Sequence, residues 1–254
     1  MRIIISPAKQ MREDLDSLPP QGLPDFLPET RRLLAALRAL SPGELQALWK
    51  CNDAIAAQNV ERLETMDLES RLTPALLSYV GIQYQTMAPR VLEADQYRYL
   101  QERLRILSGF YGLLRPLDGV TPYRLEMQAK LAVDGCRDLY AFWGGKLAQA
   151  LAGEAGWVLD LASKEYSRAV LPHLPACVPV VSCVFGELRP DGKAVEKGTL
   201  CKMARGEMVR WLAEHRVERP EELPAFQGLG YRYDEGRSTR SRLVFLRDNA
   251  RGKG

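Results

Sequence analysis

The run Ile3-Ile4-Ile5, closed by Ser6-Pro7, constrains the fold of this 254-residue chain more than any other segment. Three adjacent apolar, β-branched residues read as a buried strand, and the proline must leave the sheet. Further strands are expected at Val158-Leu159-Asp160-Leu161, at Cys177 to Leu188, and at Tyr231-Arg232-Tyr233 and Leu243-Val244-Phe245-Leu246. Residues 123 to 133 alternate instead, with Tyr123, Leu125 and Met127 separated by Arg124, Glu126 and Gln128, a strand signature.

Helical patterns lie between these segments. Leu33, Leu34, Leu37 and Leu40 recur at helix spacing, and Ser41-Pro42-Gly43-Glu44 is an N-cap, a first-turn proline and a capping-box glutamate ahead of Leu45, Leu48 and Trp49. Asp95 to Leu107 is amphipathic, with Tyr99, Leu100, Leu104 and Leu107 on one stripe. Asp138 to Leu151 is helical, and Gly206 to His215 continues a helix begun near Met203. Residues 13 to 27 read as a surface loop carrying Pro19, Pro20 and Pro24, with Pro28 just beyond, and Arg189-Pro190-Asp191-Gly192 reads as a turn. No repeat, low-complexity tract or linker interrupts the pattern. The expectation is an α/β fold (mixed α+β), one compact domain over residues 1–254 with a central mixed sheet wrapped by helices.

Composition narrows the function. Net charge is +3 and the isoelectric point about 8.6, so a nucleic-acid site must come from local clustering. Cys51, Cys136, Cys177, Cys183 and Cys201 form no CxxC and no zinc spacing, and only His173 and His215 could add imidazole. No protein-only metal site and no cofactor is expected. Cys177 and Cys183 flank Val178-Pro179-Val180-Val181-Ser182 and read as reduced core residues, which implies a reducing compartment. No apolar stretch approaches the roughly 20 residues of a membrane helix, and the start is too short for a signal peptide. A cytoplasmic protein with no membrane partner is expected. Oligomeric state is not legible.

Three segments share a strand end followed by a small hydroxyl residue and a lysine. They are Ile5-Ser6-Pro7-Ala8-Lys9, Leu161-Ala162-Ser163-Lys164-Glu165-Tyr166 and Thr199-Leu200-Cys201-Lys202-Met203-Ala204-Arg205-Gly206. Strand-to-helix junctions offer free N–H groups and a positive helix end, which suit a phosphate. Lys202 and Arg205, three apart, point the same way on a helix. If the junctions share one sheet edge, Lys9, Ser163, Lys164, Lys202 and Arg205 form a basic crevice. The bland alternative is capped helices with solvated lysines.

A second constellation runs from Leu104 to Asp118. Ser108-Gly109-Phe110-Tyr111-Gly112 follows an amphipathic helix and approximates a helix-hairpin-helix, whose glycines let backbone amides approach a phosphate. Arg115, Tyr123 and Arg124 could add contacts. Its glycines are three apart where the usual hairpin has two, and Phe110 and Tyr111 could equally sit in the core. Residues 201–254 hold 12 Lys and Arg against 8 Asp and Glu, with Arg237, Arg240 and Arg242 among Ser238, Thr239 and Ser241; a solvated loop explains these as well. No GxGxxG occurs, Gly144-Gly145-Lys146-Leu147 is not a P-loop, and Ser6-Pro7-Ala8-Lys9 lacks the partner motifs of an SxxK acylase.

Ile4 to Lys9, Leu104 to Asp118, Pro122 to Met127, Asp138 to Gly144, Leu161 to Tyr166 and Lys202 to Gly206 together resemble, in order, the signature blocks of the peroxide-stress YaaA family (the DUF328/UPF0246 group). The resemblance runs from Met1 to about Arg247. It implies a cytoplasmic protein that protects against hydrogen peroxide by keeping unincorporated iron low. It also implies a family-specific mixed α/β fold with a positive cleft, a helix-hairpin-helix-like element and DNA binding. By position the cleft takes Lys9, Lys164, Lys202 and Arg205. One departure is Ile82 in Gly81-Ile82-Gln83-Tyr84, where the family usually has an acid.

Two functions remain open. One is a DNA-binding module, for duplex or damaged DNA, using Lys9, Ser108, Gly109, Gly112, Arg115, Arg124, Ser163, Lys164, Lys202 and Arg205. The other is an enzyme on a small phosphorylated or nucleotide-like substrate, with Lys9, Lys164, Glu165 or Tyr166 as acid/base groups. A structural or regulatory partner-binding protein is a third option. An open groove would favour DNA, and a closed pocket of a few hundred cubic ångströms a metabolite.

Overall fold

The computed structural model describes residues 1–189, 192 and 194–247. Strand β1 (Arg2–Ile5) carries the isoleucine run, with all three residues buried. The chain then passes through the two-residue β2 (Gln10–Met11) into three helices, α1 (Leu27–Arg38), α2 (Pro42–Trp49) and α3 (Asp53–Thr65). The capping box forms as its residues dictate, Ser41 N donating to Glu44 Oε2 at 2.8 Å. Asn52 Oδ1 likewise accepts from Ile55 N at the start of α3. Short elements follow: β3 (Thr73–Pro74), α4 (Ala75–Ser78), β4 (Tyr79–Val80) and α5 (Ile82–Met87).

The amphipathic stretch from residue 95 divides. Helix α6 (Ala94–Arg103) ends where strand β5 (Leu104–Ser108) begins, and β5 turns back into β6 (Gly112–Leu114), ahead of β7 (Gly119–Val120). Then come α7 (Leu139–Trp143), α8 (Lys146–Glu154), β8 (Val158–Asp160), α9 (Lys164–Ser167) and β9 (Val180–Leu188). The last elements are β10 (Ala194–Val195), α10 (Gly198–His215), β11 (Tyr231–Tyr233) and β12 (Arg242–Arg247). Pro190 and Asp191 of the expected turn lie outside the described residues.

The main sheet has the order β11-β12-β9-β8-β1-β5-β6, with β10 on β9. Strands β12, β9, β8, β1 and β5 are parallel, while β6, β10 and β11 are antiparallel additions. Ile3 pairs with Leu104 on one side and Leu159 on the other, so the isoleucine strand is central. The mixed α/β fold is therefore as expected, and its topology fixes where a ligand can sit. The chain leaves β1 toward β5, then returns to place β8 on the opposite side of β1. Loops from the carboxyl ends of β1 and β8 diverge, opening a crevice at this switch point.

Four local expectations are corrected. Residues 104–118 form a β-hairpin and turn, not a helix-hairpin-helix, because β5 is claimed by pairing with β1. Residues 123–133 alternate in burial but turn at Met127 and Gln128, where Ala129 N donates to Glu126 O at 3.0 Å, and belong to no named strand. The last long helix starts at Gly198 rather than near Met203. Cys183 is buried as expected, but Cys177 is exposed. Among the described residues no helix is long and apolar enough to cross a membrane.

Candidate functional site

The crevice beyond β1 and β8 is a cavity of about 370 Å³. Its walls come from Ser6 to Gln10 after β1, Val80 to Tyr84 at the start of α5, Tyr123 to Glu126, Ser163, Glu165 and Tyr166 after β8, and Lys202 and Arg205 of α10. Two serines join the diverging loops directly: Ser6 Oγ donates to Ser163 Oγ at 3.1 Å and accepts from Ser163 N at 2.8 Å. Tyr84 Oη donates to Ser6 O at 3.0 Å, tying α5 to the same point. These hydroxyls hold the crevice together.

Helix α10 reaches the cavity because Gly206 allows it. A Cβ there would stand 2.0 Å from Gln83 O, so only glycine lets α10 lie this close to α5. That contact sets Gln83 on one wall and Lys202 with Arg205 on another. Lys202 and Arg205 sit inside α10 and bring side-chain charge, while the short helices α5 and α9 both start on the cavity wall, at Gly81 and Ser163.

Four cations, Lys9, Arg124, Lys202 and Arg205, face two acids, Glu126 and Glu165. Lys9 Nζ pairs with Glu126 Oε1 at 2.9 Å, and Arg124 Nη2 lies 3.7 Å from the same oxygen. Arg205 Nη2 is 3.8 Å from Glu196 Oε1. Three buried donors on cavity residues, Gln83 Nε2, Arg124 Nε and Arg205 Nε, have no hydrogen-bond partner among the described residues. Two others of this kind, Trp49 Nε1 and Arg103 Nε, lie on residues outside this lining. Burial pushes the Glu165 carboxyl above its ordinary range; Gln128 N, donating at 3.2 Å, partly offsets this, and Glu126 adds to it. Burial also raises the phenols of Tyr84 and Tyr166.

The structure thus gathers Lys9, Arg124, Ser163, Glu165, Tyr166, Lys202 and Arg205 around one cavity. Lys164 is exposed and does not line it. The hairpin residues Ser108, Gly109, Gly112 and Arg115 do not line it. Ser108 is fully buried, its hydroxyl accepting from Phe110 N and Tyr111 N and bonded to Tyr123 Oη. A Cβ on Gly109 would stand 2.6 Å from Leu125 O, and one on Gly112, with φ +75°, would strike Trp143. Neither backbone is open to a phosphate. Arg115 is held by Asp25 at 3.1 Å and by Glu154 at 3.5 Å, within a separate cluster.

Sequence reasoning did not single out Gln83 or Glu126 as site residues. Gln83 adjoins Ile82, which itself lines the cavity. Among the described residues no group of three or more His, Cys, Asp or Glu side chains is placed to hold a metal ion.

Comparison with known proteins covers most of the chain. The family described as "Peroxide stress protein YaaA" matches residues 1–237. A UPF0246 protein of Lachnoclostridium phytofermentans is 53% identical over 247 residues, covering 97% of this chain and 96% of its own. UPF0246 proteins of Desulfitobacterium hafniense and Pediococcus pentosaceus are 50% and 48% identical, covering 97% and 98% of this chain and 98% of each relative. This chain belongs to the peroxide stress protein YaaA family.

Proposed function

We propose that this protein serves the peroxide-stress response by binding a small phosphorylated, nucleotide-like ligand in the crevice beyond β1 and β8. The observation that carries this is the set of three unpartnered buried donors, Gln83 Nε2, Arg124 Nε and Arg205 Nε, on the walls of one cavity. A buried donor without a partner costs about 1–3 kcal/mol, which an anionic acceptor would offset. A volume of about 370 Å³ suits a metabolite rather than a duplex. Should a reaction follow binding, Glu165, whose carboxyl holds its proton more tightly than usual, is the acid/base group within reach.

A second reading is DNA, duplex or damaged, held across the mouth of the crevice. It is supported by the exposed Lys9, Lys164 and Lys202 at the same end of the sheet. Either ligand fits a role in limiting damage from hydrogen peroxide and unincorporated iron.

Thermal shift with pyrophosphate, beside DNA binding at two salt concentrations, separates the readings. Pyrophosphate should stabilise the native protein, and Arg205→Gln should abolish that gain. The variant should still unfold cooperatively, so that a lost gain reads as lost binding rather than lost structure. Tight, steeply salt-dependent DNA binding without stabilisation by small phosphates would replace the first reading with the second.

A further inference from the structure

A second cavity, of about 530 Å³, adjoins the first. The two share two lining residues, Lys9 and Glu126, the partners of the 2.9 Å ion pair. The segment after Tyr123 runs along both: Tyr123 to Glu126 line the first, and Gln128 to Ala132 line the second. Gln128 links them, lining the second cavity while its N–H donates to Glu165 of the first. Chemically the two differ. The first gathers four cations and two acids, whereas the second sets the apolar Leu40, Leu48, Trp49 and Leu131 beside its own charged Glu44, Lys50 and Lys130. Trp49 is buried, and its Nε1 has no hydrogen-bond partner among the described residues.

We infer that the second cavity completes the first, the two forming one bipartite site for a nucleoside monophosphate. This rests on the phosphate reading of the first cavity. The phosphate lies among Arg124, Lys202 and Arg205, and the base lies against Trp49, Leu48 and Leu131. An indole donor beside apolar side chains suits a planar heteroaromatic ring, which offers both an apolar face and acceptor atoms. An acyl chain would use the apolar wall and leave the donor unmatched. The divider is light on one side: the Lys9 side chain is 64% exposed against 17% for Glu126, so a ligand spanning both chambers need displace only the lysine.

Calorimetric titration of the full chain with AMP and with ribose 5-phosphate tests this. AMP should bind at least tenfold more tightly than ribose 5-phosphate. Ala47→Trp and Ala132→Trp change exposed residues on the second cavity's wall, so each should fold normally while filling that chamber. Both variants should bring AMP down to the affinity of ribose 5-phosphate and leave ribose 5-phosphate unchanged. Equal affinity for the two ligands in the native protein, or AMP binding untouched in both variants, would overturn the inference while leaving the phosphate site standing. Failure of the native protein to bind either ligand would overturn the phosphate reading and this inference with it.

Discussion

In the β5–β6 hairpin the polar groups find their partners within the protein. Ser108 Oγ serves Phe110 N, Tyr111 N and Tyr123 Oη, Tyr123 Oη bonds in turn with Tyr79 Oη at 2.8 Å, and Trp143 Nε1 donates to Gly109 O at 3.0 Å. In the crevice beyond β1 and β8, Gln83, Arg124 and Arg205 each keep a buried donor without one. Both regions carry the residues that suggest phosphate binding: hydroxyls, glycines and basic side chains. What separates them is satisfaction. A satisfied network makes a rigid core, and an unsatisfied one beside a cavity marks a site.

The largest effect that could break this contrast is in the hairpin. Gly109→Val would drive a side chain into the Leu125 carbonyl, so equilibrium unfolding should show a loss of about 3 kcal/mol or more. A well-folded Gly109→Val protein would mean the hairpin is not the packed core described.

Next is Asp118, which accepts from Arg115 N at 2.8 Å and whose carboxyl burial pushes up to about 6. Its folded-state pKa is raised, so the stability it contributes is full below about pH 4 and is lost as pH rises through about 6. Asp118→Asn stays neutral and lacks this loss. The stability difference between variant and native protein should therefore grow by up to about 3 kcal/mol between pH 4 and pH 7. Parallel pH–stability curves would show that Asp118 titrates normally.

The smallest effect belongs to the crevice. Ile82 lies on the cavity wall with 38% of its surface exposed. Ile82→Glu should fold within about 0.5 kcal/mol of the native protein and weaken pyrophosphate binding about tenfold by like-charge repulsion. Unchanged or tighter pyrophosphate binding in the variant would contradict a phosphate held beside Ile82.

Where the sequence was read correctly, local pattern and tertiary structure agree. Ile3 to Ile5 could satisfy three buried positions only in an interior strand, and Ser41 with Glu44 could only cap a helix. Alternation over residues 123–133 reported the buried face correctly. It did not report pairing, which among the described residues is limited to an isolated bridge between Val133 and Cys136. Leu100, Leu104 and Leu107 fit a helix stripe as well as a helix followed by a strand, and pairing of Leu104 with Ile3 decided between them. The site was legible in part for the same reason. Lysines beside strand ends drew attention to Lys9 and Lys202, whereas Gln83 reaches the cavity through the Gly206 contact, which no local pattern encodes.

The Nε–H groups of Arg124 and Arg205 are observed directly by nuclear magnetic resonance of arginine-labelled protein. On titration with pyrophosphate the Nε–H signals of Arg124 and Arg205 should shift saturably, and their exchange with water should slow. Arg105 Nε, already donating to Glu154 Oε2 at 3.0 Å, should not move. Unmoved Arg124 and Arg205 signals at saturating pyrophosphate, or equal shifts at all three arginines, would contradict a phosphate site in the crevice.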